Sequence, residues 1–196
     1  MRLLLATTNI NKVREIGPLL EGLPIELITL QDVAPIPEPE ETGATFWENA
    51  RLKALAYAAA SGLTVVAEDS GLVIPALGGE PGVHSARFLG AGVAYSVRFA
   101  EIFRRLAAAD GSRHAQFATA LCVARGDEIL FEVETSIGGE IATAPAGEHG
   151  FGYDPIFFYA PLGKTTGELT IAEKSAVSHR ARAFRDFAAW YKRTQI

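Results

Sequence analysis

An α/β fold on a mixed β-sheet with flanking helices is what this sequence predicts, and three observations carry the prediction. Short apolar, β-rich runs alternate with helical patterns through the first part of the chain, the signature of crossover connections and parallel strands. Two longer β-rich runs then meet at Gly126-Asp127, a strong hairpin dipeptide that implies antiparallel pairing. With 196 residues, 48% of them hydrophobic, the chain can bury a sizeable core as one domain or two closely packed lobes. No linker, internal repeat or low-complexity tract interrupts it, so residues 1–196 are read as a single domain.

The elements follow from local patterns. Residues 3–6 are an apolar run that reads as a buried strand, and residues 7–9 make the turn into a helix over 11–20, which Pro18 ends or kinks. Residues 25–30 form the next strand. The proline- and glutamate-rich stretch 34–43 reads as an exposed loop. Thr42 or Thr45 can cap the next helix, and Thr45 with Glu48 has capping-box spacing; the helix runs to about Ser61 with Gly62 as its stop. The second half of that helix is apolar on nearly every face, which predicts burial between layers. Residues 63–67 form a strand ending at Glu68-Asp69, and 72–74 a further short strand. After a glycine-rich loop at 78–82 comes a helix over 94–109, then the hairpin of residues 115–125 and 128–137. A loop over 147–155 leads to a short strand at 156–158. Thr170 and Glu173 repeat the capping-box spacing, and the last helix spans about 176–192, burying Val177, Ala181, Phe184, Phe187, Ala188 and Tyr191 along one stripe.

Composition removes several function classes. A formal charge of −5 argues against a protein that coats nucleic acid, which needs a basic face, but leaves room for a small anionic ligand held by local cations or a metal. No run approaches membrane-spanning length and the first residues lack the pattern of a secretory signal, so the protein is expected to be cytoplasmic, with no membrane partner. Cys122 sits alone in an apolar run and reads as a buried core residue. The four histidines are scattered, without zinc-ligand spacing.

Six groups of residues carry candidate chemistry, most with an ordinary structural alternative. Thr7-Thr8-Asn9-Ile10-Asn11-Lys12 lies where a strand hands over to a helix; free N–H groups there favour an anion, while simple capping is the alternative. Asp69 sits where ligands bind in open sheets, the carboxyl end of a strand; the alternative is a turn-forming aspartate before Gly71. Adjacent Glu68 and Asp69 should face opposite ways on a regular strand. Glu40 and Glu41 supply hard oxygens of the kind magnesium takes, or else a solvated acidic loop. Lys53, on the helical row of Phe46 and Asn49, must snorkel or meet an anion. Phe151-Gly152-Tyr153-Asp154 offers an aromatic face on which a purine gains about 1–3 kcal/mol by stacking, or core filling instead. Lys174, His179 and Arg180 add donors near the start of the last helix, with a solvated face as the alternative for Lys174 and Arg180.

Taken in order, these segments resemble the inosine triphosphate pyrophosphatase family over nearly the whole chain. The resemblance rests on Thr7-x-Asn9-x-x-Lys12, Glu40-Glu41-Thr42-Gly43-x-Thr45-Phe46-x-Glu48-Asn49-Ala50 with Lys53, and Asp69-Ser70-Gly71-Leu72. It continues with Gly78-Gly79-x-Pro81-Gly82-x-x-Ser85-Ala86-Arg87, Gly150-Phe151-Gly152-Tyr153-Asp154-Pro155-Ile156-Phe157 and Glu173-Lys174-Ser175-Ala176-x-Ser178-His179-Arg180. It implies an elongated, two-lobed α/β fold around a long mixed sheet, a homodimer, and a magnesium-dependent enzyme that cleaves ITP, dITP or XTP between the α and β phosphates. Mapped onto this chain, Thr7, Thr8, Asn9, Ile10, Asn11, Lys12 and Lys53 hold the phosphates. Asp69 is general base and metal ligand, joined by Glu40 or Glu41. Ser70, Phe151, Gly152, Tyr153, Asp154, Lys174, His179 and Arg180 line the nucleoside site. His179 and Arg180 donate to the 6-carbonyl that hypoxanthine and xanthine carry and adenine lacks. Two positions depart from the family pattern: Glu68 stands where Asp is common, and Thr8 where a glycine is usual. A pyrophosphatase of modified pyrimidine nucleotides and a non-catalytic nucleotide-binding module are the competing readings.

Overall fold

Seven strands, β1 (Arg2–Leu5), β2 (Glu26–Thr29), β3 (Thr64–Val73), β4 (His114–Arg125), β5 (Glu128–Ile141), β6 (Phe157–Tyr159) and β7 (Lys164–Thr165), form one mixed sheet in the computed structural model, which describes residues 1–109 and 111–194. Their spatial order is β2-β1-β3-β4-β5-β6-β7. β1 pairs in parallel with β2 and β3, and β6 runs antiparallel to β5 and β7. Five α-helices accompany them: α1 (Ile10–Ile16), α2 (Phe46–Ser61), α3 (Tyr95–Ala108), α4 (Ile171–Val177) and α5 (His179–Thr194). The predicted mixed sheet with helices is what the chain forms. Contacts divide it into two compact units, the first comprising Met1–Asp69, Thr119–Thr135 and the chain from His179 onward, the second Ser70–Ala118 and Ser136–Ser178.

In the first unit the strand period of two sorts side chains into two cores. Leu3, Leu5, Val66, Leu121 and Val123 pack against Ile16 and Leu20 and against Ala183, Phe184, Phe187 and Tyr191 of α5. Leu4, Ala6, Val65, Ala67, Ala120, Cys122 and Ala124 meet Ala50, Ala54, Tyr57 and Ala58 of α2. Phe184 and Phe187 are fully buried, each worth roughly 1.5–3 kcal/mol by removal from water. α1 stops early for a local reason. Pro18 has no N–H to return to Arg14, and the chain tightens into a 3-10 turn over Gly17–Leu20.

α2 starts and ends as its sequence dictates. Thr45 and Glu48 form the reciprocal capping box, and Gly62 closes the helix at φ 68°, a left-handed conformation that disfavours other residues. Its burial, however, is one-sided. Ala56, Ala59 and Ala60 are exposed, so the expectation of burial between layers is corrected; these alanines serve helix propensity, not a second interface.

The second unit is built around Leu72 and Ile74 of β3, Phe99, Ile102 and Leu106 of α3, and Phe117, Ile137, Ile141 and Phe157. Phe117 and Phe157 stack with ring centroids 4.3 Å apart. β5 extends beyond residue 137 through Gly138-Gly139, and β6 passes so close that a Cβ on Gly139 would strike the Phe158 carbonyl and the Phe157 ring. The last helix also differs from expectation. Instead of one helix from about residue 176, Thr170 and Glu173 cap the short α4, and extended backbone at Ser178 separates it from α5. Among the described residues no helix is long and apolar enough to cross a membrane.

Candidate functional site

β3 is one ten-residue strand, so Glu68 and Asp69 lie within it rather than at its carboxyl end, correcting the sequence reading. Charge does not end the strand because each carboxylate finds partners on its own face. Asp69 follows the parity of Val65 and Ala67, towards α2, while Glu68 follows Val66, towards α1 and α5.

On the α2 face Asn49 Nδ2 donates to Asp69 Oδ2 at 3.1 Å, and Lys53 Nζ donates to Asp69 Oδ1 at 3.4 Å and to Glu41 Oε1 at 2.6 Å. Asn49 and Lys53 are one helical turn apart, which puts both on the row facing the strand. Asn49 has a second task, since its Oδ1 accepts from the Gly43 N–H at 2.8 Å. A Cβ on Gly43 would lie 2.6 Å from that oxygen, so the loop must carry glycine there. Lys53 is only 7% exposed; it meets anions and does not snorkel to water. Glu41 is the loop acid that reaches this cluster, whereas Glu40 is exposed. Burial pulls the Lys53 ammonium down, but Asp69 and Glu41 outweigh it and leave its pKa raised. Burial also raises Asp69, against the opposing pull of Lys53. The two shifts do not mirror each other because burial, with the neighbouring Glu41 carboxylate, raises Asp69 despite Lys53.

On the α1 and α5 face Glu68 Oε1 accepts from Arg180 Nε at 2.9 Å and lies 3.1 Å from Lys12 Nζ. Its Oε2 accepts from Thr119 Oγ1 at 2.8 Å, and the same hydroxyl reaches the Asp69 carbonyl at 3.1 Å. Arg180 Nη1 donates to Glu15 Oε2 at 2.5 Å. Burial opposes ionisation of Glu68, yet Arg180 and Lys12 hold it well below the usual carboxylate range. Lys12 is lowered, chiefly by burial and against the pull of Glu68. Lys12 is supplied by the first turn of α1, whose N-cap Asn9 accepts from the Asn11 N–H at 3.0 Å, with Thr7 Oγ1 accepting from Asn9 N–H at 3.1 Å. The capping alternative for Asn9 is thus realised. Thr8 and Ile10 are exposed and Asn11 half-buried. His179 and Arg180 open α5, both buried, and the His179 carbonyl accepts from Thr135 Oγ1 at 2.7 Å.

The second unit holds the aromatic segment. Asp154 Oδ2 accepts from the Phe151 N–H at 2.7 Å and from Lys174 Nζ at 2.5 Å, and Thr166 Oγ1 donates to Asp154 Oδ1 at 2.8 Å. Lys174 Nζ lies 5.1 Å from the Phe151 ring centroid, within cation–π range. Gly150 carries φ 75°, and a Cβ there would collide with the Asp154 carboxylate. Lys174 and Arg180 are buried, so neither belongs to a solvated face. Phe151 and Gly152 are half-exposed, while Tyr153 fills the core and donates its hydroxyl to the Ser85 carbonyl at 2.9 Å. Ser70 is half-buried in β3.

The structure therefore gathers Lys53, Asp69 and Glu41 into one group, Lys12 and Arg180 around Glu68 into a second, and Phe151, Asp154 and Lys174 into a third. Asn49, Thr119 and Glu15 were absent from the sequence-derived site. Asn49 and Glu15 left a trace, a polar residue one turn from Lys53 and an acid three residues after Lys12. Thr119 left none.

The chain matches the model of the Ham1 family over residues 3–190. It is 46% identical over 181 residues to a dITP/XTP pyrophosphatase of Syntrophobacter fumaroxidans, covering 92% of this chain and 78% of that protein. It is 45% identical over 194 residues to a dITP/XTP pyrophosphatase of Thermus thermophilus, with coverage of 98% and 92%. Among solved structures, a HAM1 protein from Coxiella burnetii superposes with a TM-score of 0.92 at 36% identity, covering 99% of this chain and 100% of that one.

Proposed function

Since this chain belongs to the Ham1 family, we propose that it hydrolyses deaminated purine nucleoside triphosphates, ITP, dITP and XTP, to the nucleoside monophosphate and pyrophosphate. The observation that carries this reading in the chain itself is Asp69, a buried carboxylate oriented by Asn49 and Lys53 beside Glu41.

Magnesium belongs to the same proposal. Among the described residues no three acidic, histidine or cysteine side chains form a metal-holding group. Magnesium does not need one: it is commonly held by one or two carboxylates, with substrate phosphates and water completing its shell. Asp69 and Glu41 fit that pattern, because both already converge on one cation, the Lys53 ammonium. Bound there, the metal would supply neutralisation of the triphosphate's charge.

The protein's own groups do the rest. Asp69, its basicity increased by burial, takes the proton of the attacking water as the oxygen approaches the α-phosphorus. Asn49 holds one carboxylate oxygen at 3.1 Å and Lys53 approaches the other at 3.4 Å, which fixes the orientation of the acid. Lys12 and Lys53 stabilise the charge that builds on the departing pyrophosphate. In the second unit Phe151 stacks on the base, and Asp154, by fastening the Phe151 N–H and Lys174, holds that ring in place. In the first unit, His179 and Arg180 supply donors of the kind that suit a purine 6-carbonyl, which adenine lacks.

The test is Asp69→Asn, which keeps the side chain's size and removes its basicity. Turnover of dITP, followed as pyrophosphate release with magnesium present, should be abolished while the circular dichroism spectrum stays unchanged. Near-normal turnover in this variant sinks the assignment. Chelation should stop the wild type, and release of orthophosphate in place of pyrophosphate would point to a different hydrolase. The homodimer implied by the family resemblance is part of the proposal, and sedimentation velocity checks it.

A further inference from the structure

Arg98 lies in the first turns of α3, is 2% exposed, and among the described residues pairs with no carboxylate. A buried cation without a counter-ion is costly unless its surroundings satisfy it. Here carbonyls do. Nη1 donates to the Ser85 carbonyl at 3.0 Å and to the Ala86 carbonyl at 2.8 Å, and Nη2 donates to the Gly90 carbonyl at 3.2 Å. The guanidinium carbon lies 4.7 Å from the Tyr95 ring centroid, and Nε has no hydrogen-bond partner.

Two routes lead from this arginine to the aromatic segment. The Ser85 carbonyl that accepts from Arg98 also accepts from the Tyr153 hydroxyl at 2.9 Å. The Tyr95 ring over the guanidinium meets the Tyr153 ring edge-on, centroids 5.2 Å apart at 86°. The Tyr95 hydroxyl also stands 3.6 Å from where a Cβ on Gly152 would be. Ser85 is fixed independently, since its Oγ accepts from the Leu72 N–H at 3.0 Å and donates to the Gly82 carbonyl at 2.7 Å. Every member of this chain of contacts lies in the second unit.

We propose that Arg98 is a positioning residue for base recognition: through the Ser85 carbonyl and the Tyr95 ring it sets where Tyr153 stands, and with it the adjoining Phe151-Gly152. This deepens the function proposed above and rests on the reading that residues 151–154 contact the base. A bare stability role for Arg98 would need only the carbonyls; the shared acceptor with Tyr153 is what ties it to the site.

The experiment measures KM and kcat for dITP in the full chain with Arg98→Met, Arg98→Lys, Tyr153→Phe and Phe151→Ala. Arg98→Met should raise KM about five- to tenfold, the equivalent of one lost net hydrogen bond or slightly more, with a smaller change in kcat. Arg98→Lys should recover part of the loss, because an ammonium reaches some of the carbonyls but lacks the planar fork. Tyr153→Phe, which deletes one hydroxyl, should reproduce the rise in KM, and Arg98→Lys carries the comparison if Arg98→Met does not fold. A lowered melting temperature with wild-type KM in both Arg98→Met and Tyr153→Phe, while Phe151→Ala raises KM, would overturn the inference and leave the base-site reading standing. Wild-type KM in Phe151→Ala as well removes the base-site reading, and the role of Arg98 with it.

Discussion

Replacing Glu68 by glutamine keeps the side chain's shape and removes its charge. Three donors converge on this carboxylate: Arg180 Nε at 2.9 Å, Lys12 Nζ at 3.1 Å and Thr119 Oγ1 at 2.8 Å. Its side chain is 1% exposed, and that of Arg180 is 3% exposed. Removing one partner of a buried ion pair typically costs about 3–5 kcal/mol because the other charge is left without compensation. Two features reduce the figure here. Arg180 retains Glu15 at 2.5 Å, and the Lys12 side chain, 15% exposed, has some access to water. The glutamine carbonyl also keeps one acceptor for Arg180, so a loss of about 2–4 kcal/mol is expected. For a chain of this length that corresponds to a melting temperature lower by roughly 5–15 °C. Urea denaturation followed by circular dichroism at neutral pH, in parallel with thermal melting, measures it. Stability within about 1 kcal/mol of wild type would show that Glu68 is not the anion holding these cations, contrary to the charge ledger of this face. Glu68→Asp retains the charge and should fall between the two.

Two further perturbations test local claims. Burial, reinforced by Glu132, pushes the Cys122 thiol up to about 12, so Ellman's reagent at pH 8 should label nothing in the folded protein and one thiol per chain after denaturation; prompt labelling of the native protein would contradict the buried placement. Gly150→Ala combines a positive φ with a collision against Asp154 and should cost at least about 1–2 kcal/mol in stability. It should also raise KM for dITP, and wild-type values for both would refute the packing described.

Local signals in the sequence were enough for much of this fold. Thr45, Glu48 and Gly62 mark both ends of α2, and Gly126-Asp127 marks the β4–β5 turn, because capping and tight turns depend on residues close in sequence. Lys12, Lys53, Asp69, Phe151, Asp154 and Lys174 were singled out as isolated segments, and the structure gathers them into separate groups. What stayed hidden depends on distant partners. Two adjacent acids read as the end of a strand, yet β3 continues through them because Arg180, over a hundred residues away in sequence, neutralises Glu68 on one face while Lys53 meets Asp69 on the other. Thr119 sits in an otherwise apolar run, and only tertiary pairing reveals that its hydroxyl serves both Glu68 and the Asp69 carbonyl. The extended backbone at Ser178 is likewise invisible to hydrophobic periodicity, which runs on smoothly from Val177 to Ala181.

Asn49 holds a loop amide with one end of its side chain and the Asp69 carboxylate with the other. Only one orientation of its amide satisfies both, since an N–H requires the oxygen and a carboxylate requires the nitrogen. The acidic loop and the acid are therefore tied through one side chain. Displacing the loop at Gly43 would withdraw Glu41 and remove the contact that fixes the Asn49 amide's orientation, while Lys53 on the same helix would still reach Asp69.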